Sequence, residues 1–88
     1  MSEPHNNRVK RLKMRSMRRG IKEMDLILQR FAEARLDTMD DAGLSIYDNM
    51  LNENDHDLYQ WVSGQVAAPK PYSELIRQII DQLPETSV

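Results

Sequence analysis

The side chains in this sequence that could carry out catalysis are few and far apart. There is no cysteine, and His5 and His56 are the only histidines among 88 residues. General acid-base and nucleophilic chemistry needs such groups to converge in one pocket. His56 lies in 54-NDHD-57, where acidic neighbours are typical of a solvated cap at the start of a helix. We therefore predict no catalytic residue and no metal site.

A different kind of chemistry is suggested by the charged stretch 15-RSMRRGIKEMDLIL-28. Here Arg18 and Arg19 precede Gly20, and Glu23 follows the glycine by three residues. Guanidinium and carboxylate groups make charge-assisted hydrogen bonds, and a residue without a side chain lets another backbone approach closely. So many charges in one short stretch favour a surface that contacts another protein.

The chemistry of helix ends offers a second explanation of the same stretch. Gly20 falls between two helical patterns, where it could end one helix and cap the next. Glu23 would then reach back to the free amide of Gly20, and Arg18 and Arg19 would lie at the negative end of the first helix. This explanation accounts for the residue types but not for the crowding of charge.

Charge is unevenly distributed along the chain, although the net charge is only -2. Residues 1–22 contain eight basic residues and one acidic residue, whereas residues 23–88 contain four basic and thirteen acidic ones. The sequence thus predicts a basic arm, exposed at Arg8, Lys10, Arg11 and Lys13, joined to an acidic body. The arm could dock on an acidic protein, bind nucleic acid or act as an organelle presequence. The helical pattern that continues into the body disfavours a presequence, and the acidic body would repel nucleic acid.

Apolar residues recur every three or four positions along the chain, which predicts helices and no strand. Five helices are expected: residues 5–19, residues 21–35, one capped by Thr38 with Asp41, one from Asn54 or Asp55 to Gly64, and one from residues 71–73 to Pro84. No apolar run approaches the roughly 20 residues of a membrane span. We predict a single all-α domain over residues 1–88, a compact five-helix bundle ordered from about residue 5 to 83 with a frayed tail at 84–88.

The same spacing predicts which side chains are buried. The first helix should bury Val9, Leu12, Ser16 and Met17 on one face. Trp61 lies in phase with apolar neighbours in the fourth helix and is expected in the core.

Four blocks along the chain resemble a known family. They are 19-RGIKE-23, 24-MDLIL-28 with Phe31, 47-YDNML-51 and 55-DHDLYQW-61. Together they resemble the small all-helical succinate dehydrogenase assembly factors, also called flavinylation factors, over about residues 8–83. An Arg-Gly-x-x-Glu block alone is weak, whereas four blocks in the family's order and spacing are specific.

The resemblance implies a chaperone-like protein that is not an enzyme. It would bind the flavoprotein subunit of succinate dehydrogenase or fumarate reductase and promote covalent attachment of FAD to a histidine of that subunit, without holding a cofactor tightly itself. The implied partner-binding residues are Arg18, Arg19, Gly20, Glu23, Met24 and Asp25. A second block, taken as mainly structural, consists of Asp57, Tyr59 and Trp61.

The chain has no evident nucleophile or redox group, so any effect on flavin attachment is expected to come from holding the partner in a reactive conformation. Bacterial members of the family are cytoplasmic and mitochondrial ones carry a presequence. The short N-terminus here favours the bacterial, cytoplasmic case, and we expect a monomer. A small nucleic-acid-binding or antitoxin-like regulator that uses the basic arm is the alternative.

Overall fold

The computed structural model describes residues 4–83, which form five α-helices and one 3-10 turn. The helices are α1 (His5–Arg15), α2 (Lys22–Arg35), α3 (Asp41–Met50), α4 (Asp55–Ser63) and α5 (Lys70–Asp81), with the 3-10 turn at Leu36–Thr38. The prediction of an all-α, five-helix fold is confirmed over these residues. The frayed tail expected at residues 84–88 lies outside the described part. No helix between residues 4 and 83 is long and apolar enough to cross a lipid bilayer.

All five helices contribute to one apolar core. Helix α5 packs against α2, α3 and α4, while α1 packs against α2 and α3. Phe31 and Tyr47 meet at the centre with ring centroids 5.5 Å apart, and both are fully buried. Burying one large apolar side chain stabilises a fold by about 1.5 to 3 kcal/mol. The buried apolar residues are Val9, Leu12, Met24, Leu28, Phe31, Ala32, Leu36, Leu44, Tyr47, Met50, Leu51, Leu58, Val62, Leu75, Ile76 and Ile79.

The first helix is shorter than the periodicity predicts. It ends at Arg15 and not at residue 19, and the chain then turns through residues 16–21 before α2. Ser16 is buried as expected, but Met17 is 43% exposed, so its placement in the core was wrong. The apolar spacing continues past Arg15, yet the backbone leaves the helix there. We call residues 16–21 the corner.

Two helix starts also differ from the sequence prediction. Asp40 caps α3 by accepting a hydrogen bond from the Gly43 amide at 2.8 Å, whereas Thr38 belongs to the preceding 3-10 turn and bonds the Arg35 carbonyl. Helix α5 begins at Lys70, because Pro71 fits the first turn of a helix, where its missing N–H is not needed.

The predictions for α4 are largely confirmed. Asn54 caps the helix through the His56 amide, and Gly64 ends it with φ 85°. Trp61, however, lies only half-buried at the edge of the core, with its ring centroid 6.0 Å from that of Tyr72. Its expected position in the core is therefore corrected to the rim.

Candidate interaction surface

The basic arm does not face solvent as a whole, because much of it packs against the acidic body. Five of its eight basic residues pair with carboxylates within residues 4–83. The ion pairs are Arg8 with Asp41, Arg11 and Arg15 with Asp48, Lys13 with Asp37, and Arg19 with Asp55. The exposure predicted for Arg8, Arg11 and Lys13 was wrong, since each is partly buried beside α3 or the 3-10 turn. The uneven charge along the chain therefore reflects mainly ion pairs between the basic residues 8–19 and the acidic residues 37–55. We call this set of ion pairs the seam.

A buried hydrogen bond lies beneath that seam. The hydroxyls of Ser16 and Tyr47 are 2.5 Å apart, and Ser16 also donates to the Leu12 carbonyl. Burial raises the pKa of the Tyr47 hydroxyl to about 12, although the hydrogen bond with Ser16 and the charges of Arg19 and Arg15 act in the opposite direction. The start of the corner is thus anchored to the middle of α3.

Arg19 anchors the corner again where α3 meets α4. Its Nε donates to Asp55 Oδ1 at 2.8 Å, and its Nη2 donates to the Leu51 carbonyl at 3.0 Å. A helix C-terminus attracts cations and a helix N-terminus attracts carboxylates, so Arg19 and Asp55 each suit their positions. Their side chains are only 13% and 16% exposed. Arg19, one of the residues implied to bind a partner, therefore makes its hydrogen bonds within this chain.

Gly20 is held by the same carboxylate. Its amide donates to Asp55 Oδ2 at 2.5 Å, and a Cβ built on Gly20 would lie 3.0 Å from that oxygen. The Asp55 carboxylate thus fills the role expected of Glu23. Gly20 neither ends α1 nor caps α2, whose N-cap is Ile21. A residue without a side chain suits this position, because a Cβ would press on the Asp55 carboxylate.

The left-handed residue at the corner is Arg18 and not the glycine. Its φ is 58°, which is unfavourable for a residue with a Cβ. Its amide donates to Asp25 Oδ1 at 2.8 Å, and the same oxygen accepts from the Gln29 side chain. Asp25 therefore stabilises the turn from within α2.

The remaining residues of the predicted site divide between surface and core. Glu23 and the side chain of Arg18 are exposed and make no hydrogen bond or ion pair with any residue in 4–83. Gly20 is exposed between them in the chain. Met24 is fully buried, so its side chain is not available to a partner in this structure. The structure thus leaves Arg18, Gly20 and Glu23 accessible and uses Arg19, Met24 and Asp25 as their support.

The second predicted block supports α4. Tyr59 and Trp61 are half-buried against the core, while Asp57 is exposed in the first turn of the helix. A carboxylate there interacts favourably with the positive end of the helix dipole. His, Cys, Asp and Glu side chains in residues 4–83 form no group of three or more that could hold a metal ion.

Sequence reasoning missed Asp55 as the residue that shapes the site. It was considered only as a possible cap of α4, yet it receives hydrogen bonds from residues 35 and 36 positions away. One signal was available: Asp55 opens the block 55-DHDLYQW-61, whose order after Arg-Gly-x-x-Glu carried the family resemblance.

Comparison with known proteins agrees with this resemblance. Residues 10–83 match the family described as "Flavinator of succinate dehydrogenase". Among individual relatives, "FAD assembly factor SdhE" of Legionella pneumophila is 35% identical over 71 residues, which cover 81% of this chain and 90% of the relative. "Succinate dehydrogenase assembly factor 2, mitochondrial" of Drosophila grimshawi is 36% identical over 83 residues, covering 92% of this chain and 56% of the relative.

The mitochondrial relatives are longer than the matching region. The protein of that name in Saccharomyces cerevisiae is 37% identical over 87 residues, which cover 98% of this chain but 54% of the relative. This chain thus spans about half the length of the mitochondrial proteins it matches. The family match covers most of the chain, including both the corner and the start of α4 that holds it in place. The chain belongs to the flavinator of succinate dehydrogenase family.

Proposed function

We propose that this protein binds the flavoprotein subunit of succinate dehydrogenase or fumarate reductase and promotes covalent attachment of FAD to that subunit. The observation that carries the proposal is the corner together with the first turn of α2. Arg18, Gly20 and Glu23 are accessible there, and hydrogen bonds to Asp55 and Asp25 hold the backbone of the corner in place. Side chains that the fold leaves unpaired on a well-supported backbone suit recognition of another protein. The names of the relatives, FAD assembly factor and succinate dehydrogenase assembly factor, support the choice of partner.

The mechanism depends on the contacts that the accessible side chains can make with the partner. Glu23 and Arg18 can make charge-assisted hydrogen bonds to the partner, and Gly20 leaves room for its backbone. The factor is not an enzyme in this proposal: it stabilises the partner conformation in which bound FAD meets the partner's own histidine. In this proposal FAD is bound by the partner and is not tightly bound by this chain.

The factor acts in this proposal as a monomer in the bacterial cytoplasm. The match to the Legionella pneumophila protein supports the bacterial setting, since that relative is bacterial. A core closed among helices of one chain supports the monomer. Nucleic-acid binding by the basic arm has less support, because most of the arm's cations are paired with carboxylates of the body.

The test compares two exposed glutamates of α2. Glu23→Ala removes an exposed side chain that makes no hydrogen bond or ion pair with residues 4–83, so the free energy of unfolding should change by less than about 0.5 kcal/mol. Covalent FAD in the flavoprotein subunit, read as flavin fluorescence of the denatured subunit on a gel, should fall by about tenfold or more. Glu33→Ala, further along the same helix, is the matched control and should behave as wild type.

Normal covalent FAD with folded Glu23→Ala would contradict the role given to this residue. Gly20→Arg is a less selective variant, because any Cβ at Gly20 also meets the Asp55 carboxylate. Its effect would combine a changed internal contact with a blocked surface.

A further inference from the structure

The outward side of α1 and the corner carries a surface of which the proposed function uses only Arg18. We call it the outer strip and define it by Lys10, Met14, Met17 and Arg18. Met14 is 73% exposed and Met17 is 43% exposed. Met14 lines two shallow depressions, one shared with Lys10 and the other with Met17 and Arg18. The four side chains therefore form one continuous surface.

The charge of the outer strip is uniformly positive. No acidic residue occurs between residues 5 and 22. Arg15, beside Met14, is paired with Asp48. Lys10 and the Arg18 guanidinium have no ion pair or hydrogen bond with any residue in 4–83. The strip thus offers two thioether side chains bordered by two cations that residues 4–83 do not neutralise.

Arg18 gives an independent indication that this surface is used. Its left-handed backbone is a conformation that glycine adopts without strain and arginine does not. Among residues 4–83, Arg18 is held only through its amide, which donates to Asp25. Glycine would keep that hydrogen bond and remove the strain. The arginine side chain therefore has no explanation in the fold and points to a contact outside it.

We propose that the outer strip binds an acidic segment of the flavoprotein partner in which carboxylates lie on both sides of an apolar side chain. The carboxylates pair with Lys10 and Arg18, and the apolar side chain packs between Met14 and Met17, whose flexible thioethers adapt to its shape. This inference rests on the proposed function and adds the chemistry of the segment that is recognised.

A protein segment fits the strip better than a nucleic acid or a lipid surface. Arg18 belongs both to the strip and, with Gly20 and Glu23, to the accessible residues of the proposed site, so one partner can cover both regions. Glu23 would repel an extended anionic surface, whereas a protein segment can place a cation there. The exposed methionines also require an apolar group between the two anions, which a phosphate backbone does not offer.

The test measures binding of this protein to the purified flavoprotein subunit of succinate dehydrogenase. Lys10→Gln, Met14→Gln and Arg18→Gly should each weaken binding by about three- to tenfold, and the double change at Lys10 and Arg18 should reduce its salt dependence. Arg18→Gly should melt no lower than wild type, because it removes backbone strain. Matched controls are Ile46→Gln and Arg77→Gln, at exposed positions of α3 and α5, and they should bind as wild type.

Covalent FAD incorporation separates this inference from the proposed function. At limiting concentration the strip variants should slow it, and a higher concentration should restore it. Wild-type binding by all strip variants, with covalent FAD still lost in Glu23→Ala, would overturn the outer strip and the contact given to Arg18, but not the role of Glu23 in the proposed function. Failure of the wild-type protein to bind the flavoprotein would overturn both. The strip would also be overturned if its variants kept flavoprotein binding but lost binding to phosphatidylglycerol vesicles or duplex DNA.

Discussion

The two sides of the segment from α1 to the start of α2 use the same residue types in opposite ways. On the inward side, Arg15, Arg19 and Ser16 meet Asp48, Asp55 and Tyr47. On the outward side, charged and apolar side chains remain exposed without partners in residues 4–83. The difference shows that a basic stretch can be a structural seam and a binding surface at once, depending on which side of the helix each residue occupies.

The same division runs through the Arg-Gly-x-x-Glu block. Arg19 and Gly20 are bound to Asp55, whereas Glu23 projects into solvent from the first turn of α2. We interpret the first two residues as shaping the corner and the third as contacting the partner. Variants on the inward side should therefore change stability, and those on the outward side should change binding.

The largest effect is expected from Asp55→Ala. The change leaves the mostly buried Arg19 guanidinium without its carboxylate and removes the acceptor of the Gly20 amide. Loss of one member of such a pair should lower the free energy of unfolding by about 3 kcal/mol. Urea unfolding followed by circular dichroism measures this. Asp57→Ala, in the same turn of α4 but exposed, is the control, and equal midpoints for the two variants would contradict the inward role of Asp55.

Tyr47→Phe should have an intermediate effect, which is destabilising near neutral pH and reverses in sign at alkaline pH. Tyrosine in the unfolded chain ionises near pH 10, whereas burial keeps Tyr47 protonated to about pH 12. The stabilisation of the wild type is complete below about pH 10 and decreases as the pH rises to about 12, by about 2 to 3 kcal/mol in total. Near neutral pH the variant should have a free energy of unfolding about 1 kcal/mol lower than the wild type, and it should not lose stability between about pH 10 and 12 through this group. The measurement is the difference between the urea midpoints of the two proteins at about pH 8 and about pH 11.5. A constant difference would mean that Tyr47 is not kept neutral by burial.

The smallest effect is expected from Asp48→Asn. Asp48 pairs with Arg11 and Arg15, but Arg11 is 41% exposed, so solvent screens much of the attraction. The free energy of unfolding should fall by about 1 kcal/mol or less. In thermal melts, the difference in melting temperature between variant and wild type should decrease at high salt. A gap that is independent of salt would assign the effect to the hydrogen bonds of Asp48 and not to its charge.

Local patterns predicted much of the fold. Phe31 and Tyr47 follow helical spacing and are buried, and Asn54 and Gly64 mark the ends of α4 as their chemistry suggests. These features depend on residues a few positions apart. The end of α1 was misjudged because apolar spacing continues to Met17 after the backbone has left the helix.

The candidate site was predictable in its location but not in its construction. The block containing Gly20 and Glu23 identified the corner, but the ties to Asp55 and Tyr47 join residues more than 30 positions apart. A single sequence does not show which distant opposite charges will meet. For the same reason, the positive charge of residues 1–22 was interpreted as an exposed arm, when most of it faces the acidic residues of the body.

The way α1 is attached has a consequence for local motion. Val9 and Leu12 are its only buried apolar side chains, and polar contacts with the body supply most of its other attachments. Charge pairs weaken as ionic strength rises, whereas burial of apolar surface does not. Helix α1 should therefore detach from the other four helices more often at high salt, before the whole chain unfolds. Its amide hydrogens would then exchange with solvent at a rate set by salt, while those of α2 and α3 would still report global stability.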